Sequence, residues 1–139
     1  EMKLETFIGP AYVLDLTNVR LVERSSLDKL SRRRPERVLL KTMSAGKTIF
    51  SGTCAYIAPD AAKFLAELKI KLAGIDTPSV DKSDSKTLET HNILAKHNIA
   101  ILENLNLDEV AEGDYELIAF PLKLAGMDAS PVRAVLRTL

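Results

Sequence analysis

Lys71-Leu72-Ala73-Gly74-Ile75-Asp76-Thr77-Pro78-Ser79-Val80-Asp81, followed downstream by Ile99-Ala100-Ile101-Leu102-Glu103, is the stretch that decides the fold. Lys71–Asp76 reads as a strand, a short apolar run that ends in a Pro- and Ser-bearing loop, Thr77–Asp81. Ser85 can cap a helix from Lys86 to about Lys96. Ile99–Glu103 then returns as a second strand. Working outward towards the N-terminus, Ala58-Pro59-Asp60 starts a helix with Pro and an acid in its first turn. Its Ala61, Phe64, Leu65 and Leu68 follow the spacing of one buried helical face. Met43–Tyr56 is a Gly/Ser/Thr-rich connection long enough to be functional. Arg37–Lys41 and Phe7–Leu16 read as strands, the second with an irregular start at Gly9-Pro10. Between them Ser25-Ser26-Leu27-Asp28 opens a short helix that must stop before Pro35. Towards the C-terminus, Leu107–Val110 reads as a single helical turn. The strands Tyr115–Leu122 and Val132–Thr138 flank a turn at Ala125–Asp128, with Pro121 suggesting an edge or a bulge.

Strands alternating with helices, then two adjacent strands, specify an α/β fold with a mixed β-sheet core and flanking helices. No repeat, linker or low-complexity tract divides residues 1–139, so a single domain is expected. The chain is 46% apolar and 27% charged, with 19 basic and 19 acidic residues. That zero formal balance argues against nucleic acid, whose binders carry a basic excess. No apolar run approaches the roughly 18–20 residues of a membrane span. Glu1–Thr6 lacks the basic and apolar regions of a signal peptide. A cytoplasmic location with no membrane partner is therefore the expectation. Cys54, the single cysteine, excludes an internal disulfide and a thiolate-cluster zinc site.

His91 and Glu103 are the most informative pair. Leu88, His91 and Ala95 fall on one stripe of the expected helix, which turns His91 towards the sheet. Glu103 ends an otherwise apolar strand and shares a face with Ile99 and Ile101. A buried carboxylate is costly unless it is paired or binds a metal. An imidazole and a carboxylate on neighbouring elements can hold a hard or borderline cation. The alternative is a plain His–Glu hydrogen bond, or a Glu that reaches water. His97 reads as a helix C-cap residue near the negative end of the dipole. The loop Asp76–Asp81 leaves the carboxyl end of a strand, where α/β sheets place ligands, although Asx and Ser turns give the same composition. Ser31-Arg32-Arg33-Arg34 reads as a solvated basic turn or an anion site, and Cys54 as a small packed residue.

Read together, these segments resemble the metal-dependent cyclase family, which includes bacterial kynurenine formamidase (arylformamidase). The resemblance is carried by Leu4–Ala11, Gly74–Asp81, the His91…Glu103-Asn104 spacing, Tyr115–Ala119, Pro121-Leu122 and Ser130–Val135. It covers the whole chain in order, as the C-terminal two-thirds of a family domain, truncated at the N-terminus. The resemblance implies a hydrolase that uses Zn²⁺ or Mn²⁺ to open amide-type bonds of a small-molecule substrate, such as N-formylkynurenine. It also implies assembly as homo-oligomers. His91 and Glu103 fall on family positions that ligate metal. Most of the family's other ligands come from an N-terminal His-x-Gly-Thr-His-x-Asp motif, which this sequence does not contain. Gly52-Thr53 is only superficially similar, since Phe50 and Cys54 stand where histidines would be required. The expected function is therefore kynurenine formamidase-like hydrolysis. The alternative is a catalytically incomplete remnant acting as an oligomerising or small-molecule-binding module, dependent on self-association or a complementing chain.

Overall fold

Alternate residues of Ile8–Asp15 (β1) are buried on opposite sides: Tyr12 and Leu14 join one apolar cluster, Ala11 and Val13 another. A strand covered on both faces belongs in the middle of a sheet. The computed structural model, which describes residues 2–42 and 54–139, places it there. β1 is followed by β2 (Leu21–Val22), α1 (Asp28–Arg33), β3 (Arg37–Lys41), β4 (Tyr56–Ile57) and α2 (Pro59–Glu67). Then come β5 (Leu72–Ile75), α3 (Glu89–Lys96), β6 (Ala100–Leu102), β7 (Gly113–Ile118) and β8 (Val135–Thr138). The main sheet has the order β6-β5-β3-β1-β7-β8. Its β6, β5, β3 and β1 run parallel, whereas β7 and β8 are antiparallel additions. The mixed α/β sheet expected from the sequence is thus the observed one. β2 and β4 form a separate parallel pair.

Among the described residues the α-helices lie on one face only. There Leu27, Leu30, Ala61, Phe64, Leu65 and Leu94 pack on Tyr12, Leu14, Val38, Leu40, Ala73, Ile75 and Ile99. The other face carries Ala11, Val13, Leu39, Leu72, Ala100, Leu102 and Leu117. It is covered instead by segments outside the α-helices, through Phe7 at the end of the 3-10 turn Leu4–Phe7 and through Leu105, Leu107, Val110, Val132 and Ala134. α2 buries Ala61, Phe64 and Leu65 as its spacing requires. α1 ends as Pro35 dictates: Arg34 turns left-handed at φ 46°, and its N–H donates to the Leu30 carbonyl. The basic run beside it is exposed, yet Arg33 stacks 4.4 Å from the Tyr12 ring centroid and pairs with Asp114 at 2.6 Å.

Among the boundaries that differ from the sequence-based expectation, three stand out. α3 starts at Glu89 rather than Lys86. The strand expected over Tyr115–Leu122 ends at Ile118, because Pro121 has no N–H to continue a ladder and contributes only an isolated bridge to Val132. For the same reason the last strand pairs from Val135 onwards, not from Val132. β4 is too short to have been visible as a pattern. Most of the Met43–Tyr56 connection, with Phe50 and Gly52-Thr53, lies outside the described residues.

Glu112 fastens the end of β1 to α1. Its carboxylate accepts the Asp15 N–H at 3.0 Å and the Lys29 ammonium at 2.9 Å. The Lys29 hydrogen bond, with smaller help from Asp15 and Tyr12, holds the Glu112 carboxyl below its ordinary pKa. A carboxyl depressed on folding adds stability that is fully present above its unfolded pKa, about 4.3. That stability is lost as pH falls through the lower folded value. Glu112→Gln should therefore lower the urea midpoint at neutral pH and flatten its acid dependence below about pH 4.3. An unchanged acid slope in the variant would contradict this.

Candidate metal centre

The N-terminus of α3 is built around a carboxylate from outside the helix. Leu88 precedes it in the left-handed region at φ 47°, so the backbone cannot enter helical geometry earlier. The Ser85 hydroxyl accepts the Leu88 N–H at 3.2 Å and closes the turn before the helix, not the helix itself. The helical amides go to Asp81. Its Oδ1 accepts the Thr90 N–H at 2.9 Å and its Oδ2 accepts the His91 N–H at 3.0 Å. This explains the late start of α3: helix begins where Asp81 can satisfy its open donors. The Thr90 hydroxyl donates to the Ile57 carbonyl at 2.7 Å and ties the same turn to β4.

The inward stripe of α3 is Thr90 and Leu94, both buried. Leu88 and Ala95, expected to share a buried stripe with His91, are exposed. Leu88 lies before the first helical turn, so helical spacing does not apply to it. His91 sits on the flank of the stripe, with its side chain 32% exposed. From there its ring lies between two carboxylates. Nδ1 is 2.7 Å from Asp81 Oδ2, and Nε2 is 3.3 Å from Glu103 Oε1. The structure thus brings together the two residues singled out from the sequence.

Glu103 follows β6 directly and is held as firmly as the imidazole. Its Oε1 accepts the Val80 N–H at 2.8 Å. The chain that follows it is pinned to the Gly74–Asp81 segment: Asn104 N–H donates to Thr77 O at 2.9 Å and Leu105 N–H to Ile75 O at 3.2 Å. Asp76, buried at the end of β5, accepts the Thr42 N–H at 2.8 Å and anchors the end of β3. Burial works to raise the Asp81 carboxyl, but hydrogen bonds from the His91 amide, the His91 ring and the Thr90 amide outweigh it. The net result is a pKa below the ordinary carboxylate value.

The family model described as "Putative cyclase" matches residues 1–82, more than half of the chain. Kynurenine formamidase of Bacillus thuringiensis (strain Al Hakam) is 45% identical over 140 residues, covering 100% of this chain and 67% of the relative. The chain belongs to the cyclase family. Kynurenine formamidase of Delftia acidovorans is 47% identical over 137 residues, 98% of this chain and 66% of that enzyme. A solved structure described as a predicted metal-dependent hydrolase from Bacillus stearothermophilus superposes with a TM-score of 0.86 at 32% identity. That match covers 96% of this chain and 65% of the other. This cyclase-family chain therefore spans about two-thirds of the length of the relatives it matches.

Do the residues suit a cation? Two donors on a tetrahedral ion, each about 2.0–2.2 Å from it, stand about 3.4 Å apart. Nε2 and Oε1 are 3.3 Å apart, and both are partly open to solvent, His91 at 32% and Glu103 at 27%. They fit one flank of a site. Among the described residues no group of three His, Cys, Asp or Glu side chains converges on a common point. Asp81 is excluded by geometry, since it occupies the opposite ring nitrogen.

The other candidates stand apart. His97 is the exposed C-cap residue of α3, as its position suggested. Cys54 is half-buried. Asp81 itself was legible only as part of a loop: ten residues separate it from His91, and no helical or strand spacing links them.

Gly74 sets how closely the Glu103 connection can approach the sheet. A Cβ there would lie 2.5 Å from Leu39 Cδ2 and 2.7 Å from Leu105 Cδ1. Gly74→Ala should cost about 1–3 kcal/mol in urea unfolding through overpacking. It should also weaken amide-exchange protection at Leu105, whose N–H bonds to Ile75 O. Wild-type stability and protection in this variant would refute the close-approach argument.

Proposed function

We propose that this chain supplies one side of the metal centre of a kynurenine formamidase-like hydrolase, with His91 Nε2 and Glu103 Oε1 as its metal-holding atoms. The observation that carries the reading is the 3.3 Å approach of these two atoms, each fixed from behind by the Gly74–Asp81 segment. The names of the relatives support a formamide substrate, and the metal-dependent hydrolase with the same fold supports an ion. In this reading the chain is the C-terminal two-thirds of a single hydrolase domain.

An ion of the Zn²⁺ or Mn²⁺ type, when bound, supplies Lewis-acid polarisation of a carbonyl and activates water. The chain's own contribution is placement. Asp81 keeps the imidazole from rotating, the Val80 amide keeps the carboxylate from swinging into solvent, and both donors start close to their working separation. Hydrolysis of N-formylkynurenine breaks the formyl C–N bond, adds water across it, and yields formate and the free aromatic amine. The remaining donors come from outside the described residues. Large apolar side chains exposed along the β7–β8 side, among them Leu122, Leu124, Met127, Val135 and Leu139, support self-association as the setting in which the site is completed. No helix among the described residues is long and apolar enough to cross a membrane.

Titration of the full chain with Zn²⁺ or Mn²⁺, alongside His91→Ala and Glu103→Ala, tests the reading. The parent should bind the ion, and each variant should lose at least about tenfold in affinity. Formate release from N-formylkynurenine should depend on added metal. Equal metal binding by all three proteins would overturn the assignment. Metal binding without formate release at any metal concentration would favour the non-catalytic binding module. Sedimentation of the same samples should show dimers or larger species, and a monodisperse monomer would remove self-association from the proposal.

A further inference from the structure

The Asp81 carboxylate is 6% exposed, yet everything it is seen to bind in α3 lies in two consecutive residues: two backbone amides and one imidazole nitrogen. Capping the helix does not require a charge, because Ser, Thr or Asn at this place would take one of the amides at less desolvation cost. What a neutral cap does not provide is an acceptor-only group shared between the helix terminus and the ring. Oδ2 is 3.0 Å from the His91 amide nitrogen and 2.7 Å from His91 Nδ1. The same oxygen therefore fixes both the backbone and the side chain of one residue. Both flanking carboxylates can only accept, but Asp81 stands at 2.7 Å and Glu103 at 3.3 Å, so the single proton of a neutral ring belongs on Nδ1 and the Nε2 lone pair faces Glu103.

We propose that Asp81 is a positioning residue which holds His91 in the Nδ1–H tautomer and aims Nε2 into the gap beside Glu103. This deepens the metal-centre reading and rests on it for its purpose, although the tautomer can be measured without any metal. The Val80 amide, one residue earlier, performs the corresponding task for Glu103 Oε1 at 2.8 Å. Consecutive residues of one loop thus fix both donors, and the side chain of Val80 is fully buried to hold that loop against the helical face of the sheet. Thr77 and Ile75 carbonyls grip the chain beyond Glu103. The segment Gly74–Asp81 acts as a gauge whose product is the 3.3 Å separation.

Nitrogen NMR of the His91 ring in the intact, metal-free chain at mildly alkaline pH reads the tautomer directly. A protonated, pyrrole-type Nδ1 and an unprotonated, pyridine-type Nε2 are expected. Added Zn²⁺ should then shift Nε2 and leave Nδ1 in place. A proton found on Nε2, or a Zn²⁺ shift at Nδ1, would overturn the proposal, and neither measurement needs a variant that folds. Asp81→Ala and Thr90→Val separate positioning from mere support of the helix, since the second loses only the hydroxyl bond to Ile57 O. Both should lower the urea midpoint. Asp81→Ala should in addition weaken Zn²⁺ binding roughly 10–100-fold and mix the tautomers, while Thr90→Val binds Zn²⁺ as the parent does. Equal Zn²⁺ affinity in Asp81→Ala and parent would sink the positioning role and leave His91 and Glu103 as donors. If His91→Ala binds Zn²⁺ as the parent does, the metal-centre reading fails, and the ring tautomer still decides what Asp81 holds.

Discussion

A single buried carboxylate sets the geometry of the functional end of this protein. Asp81 closes the open amides of α3, and in doing so it determines where that helix starts and therefore which way its first turn faces. His91 is in that turn. Had Ser85 capped the helix instead, the stripe of inward residues would have been shifted and the imidazole would have faced elsewhere. The cost of burying the charge is met by three hydrogen-bond donors, the condition under which buried carboxylates are tolerated.

The sheet supplies the second half of the constraint. β5 and β6 are parallel neighbours, so the loops that leave their carboxyl ends emerge side by side. One loop carries Val80 and Asp81, and the other carries Glu103. Gly74, paired across the sheet with Leu39 on one side and Leu102 on the other, lets Leu105 fold back against the strands. Packing on the face that carries Leu39 and Leu102 thus reaches the site through the chain that follows Glu103.

The two sides of the sheet are unequal in a way that bears on assembly. Helices bury the face carrying Tyr12, Leu40 and Ile75. Irregular segments cover the other, and large apolar side chains remain exposed near its β7–β8 margin. The cyclase family likeness extends over the full chain while covering 67% of the relative from Bacillus thuringiensis. An exposed apolar margin of this kind is the observation behind the self-association in the proposed function.

Much of the architecture is determined by local sequence. The apolar runs of β1, β3, β5 and β6, the face of α2 and the stop at Pro35 all follow from short-range rules, since each depends on residues within one or two turns of itself. Glu103 was conspicuous because a charge broke an apolar strand, and His91 because helical spacing turned it towards the sheet, although Leu88 and Ala95 of that stripe are exposed. Tertiary structure alone decided the start of α3 and the partner on Nδ1. Each of these depends on a group distant along the chain: Asp81 for the helix, and two carboxylates arriving on opposite sides of one ring. Periodicity records which side of an element meets the core, but hydrogen bonds across long loops leave no period in the sequence.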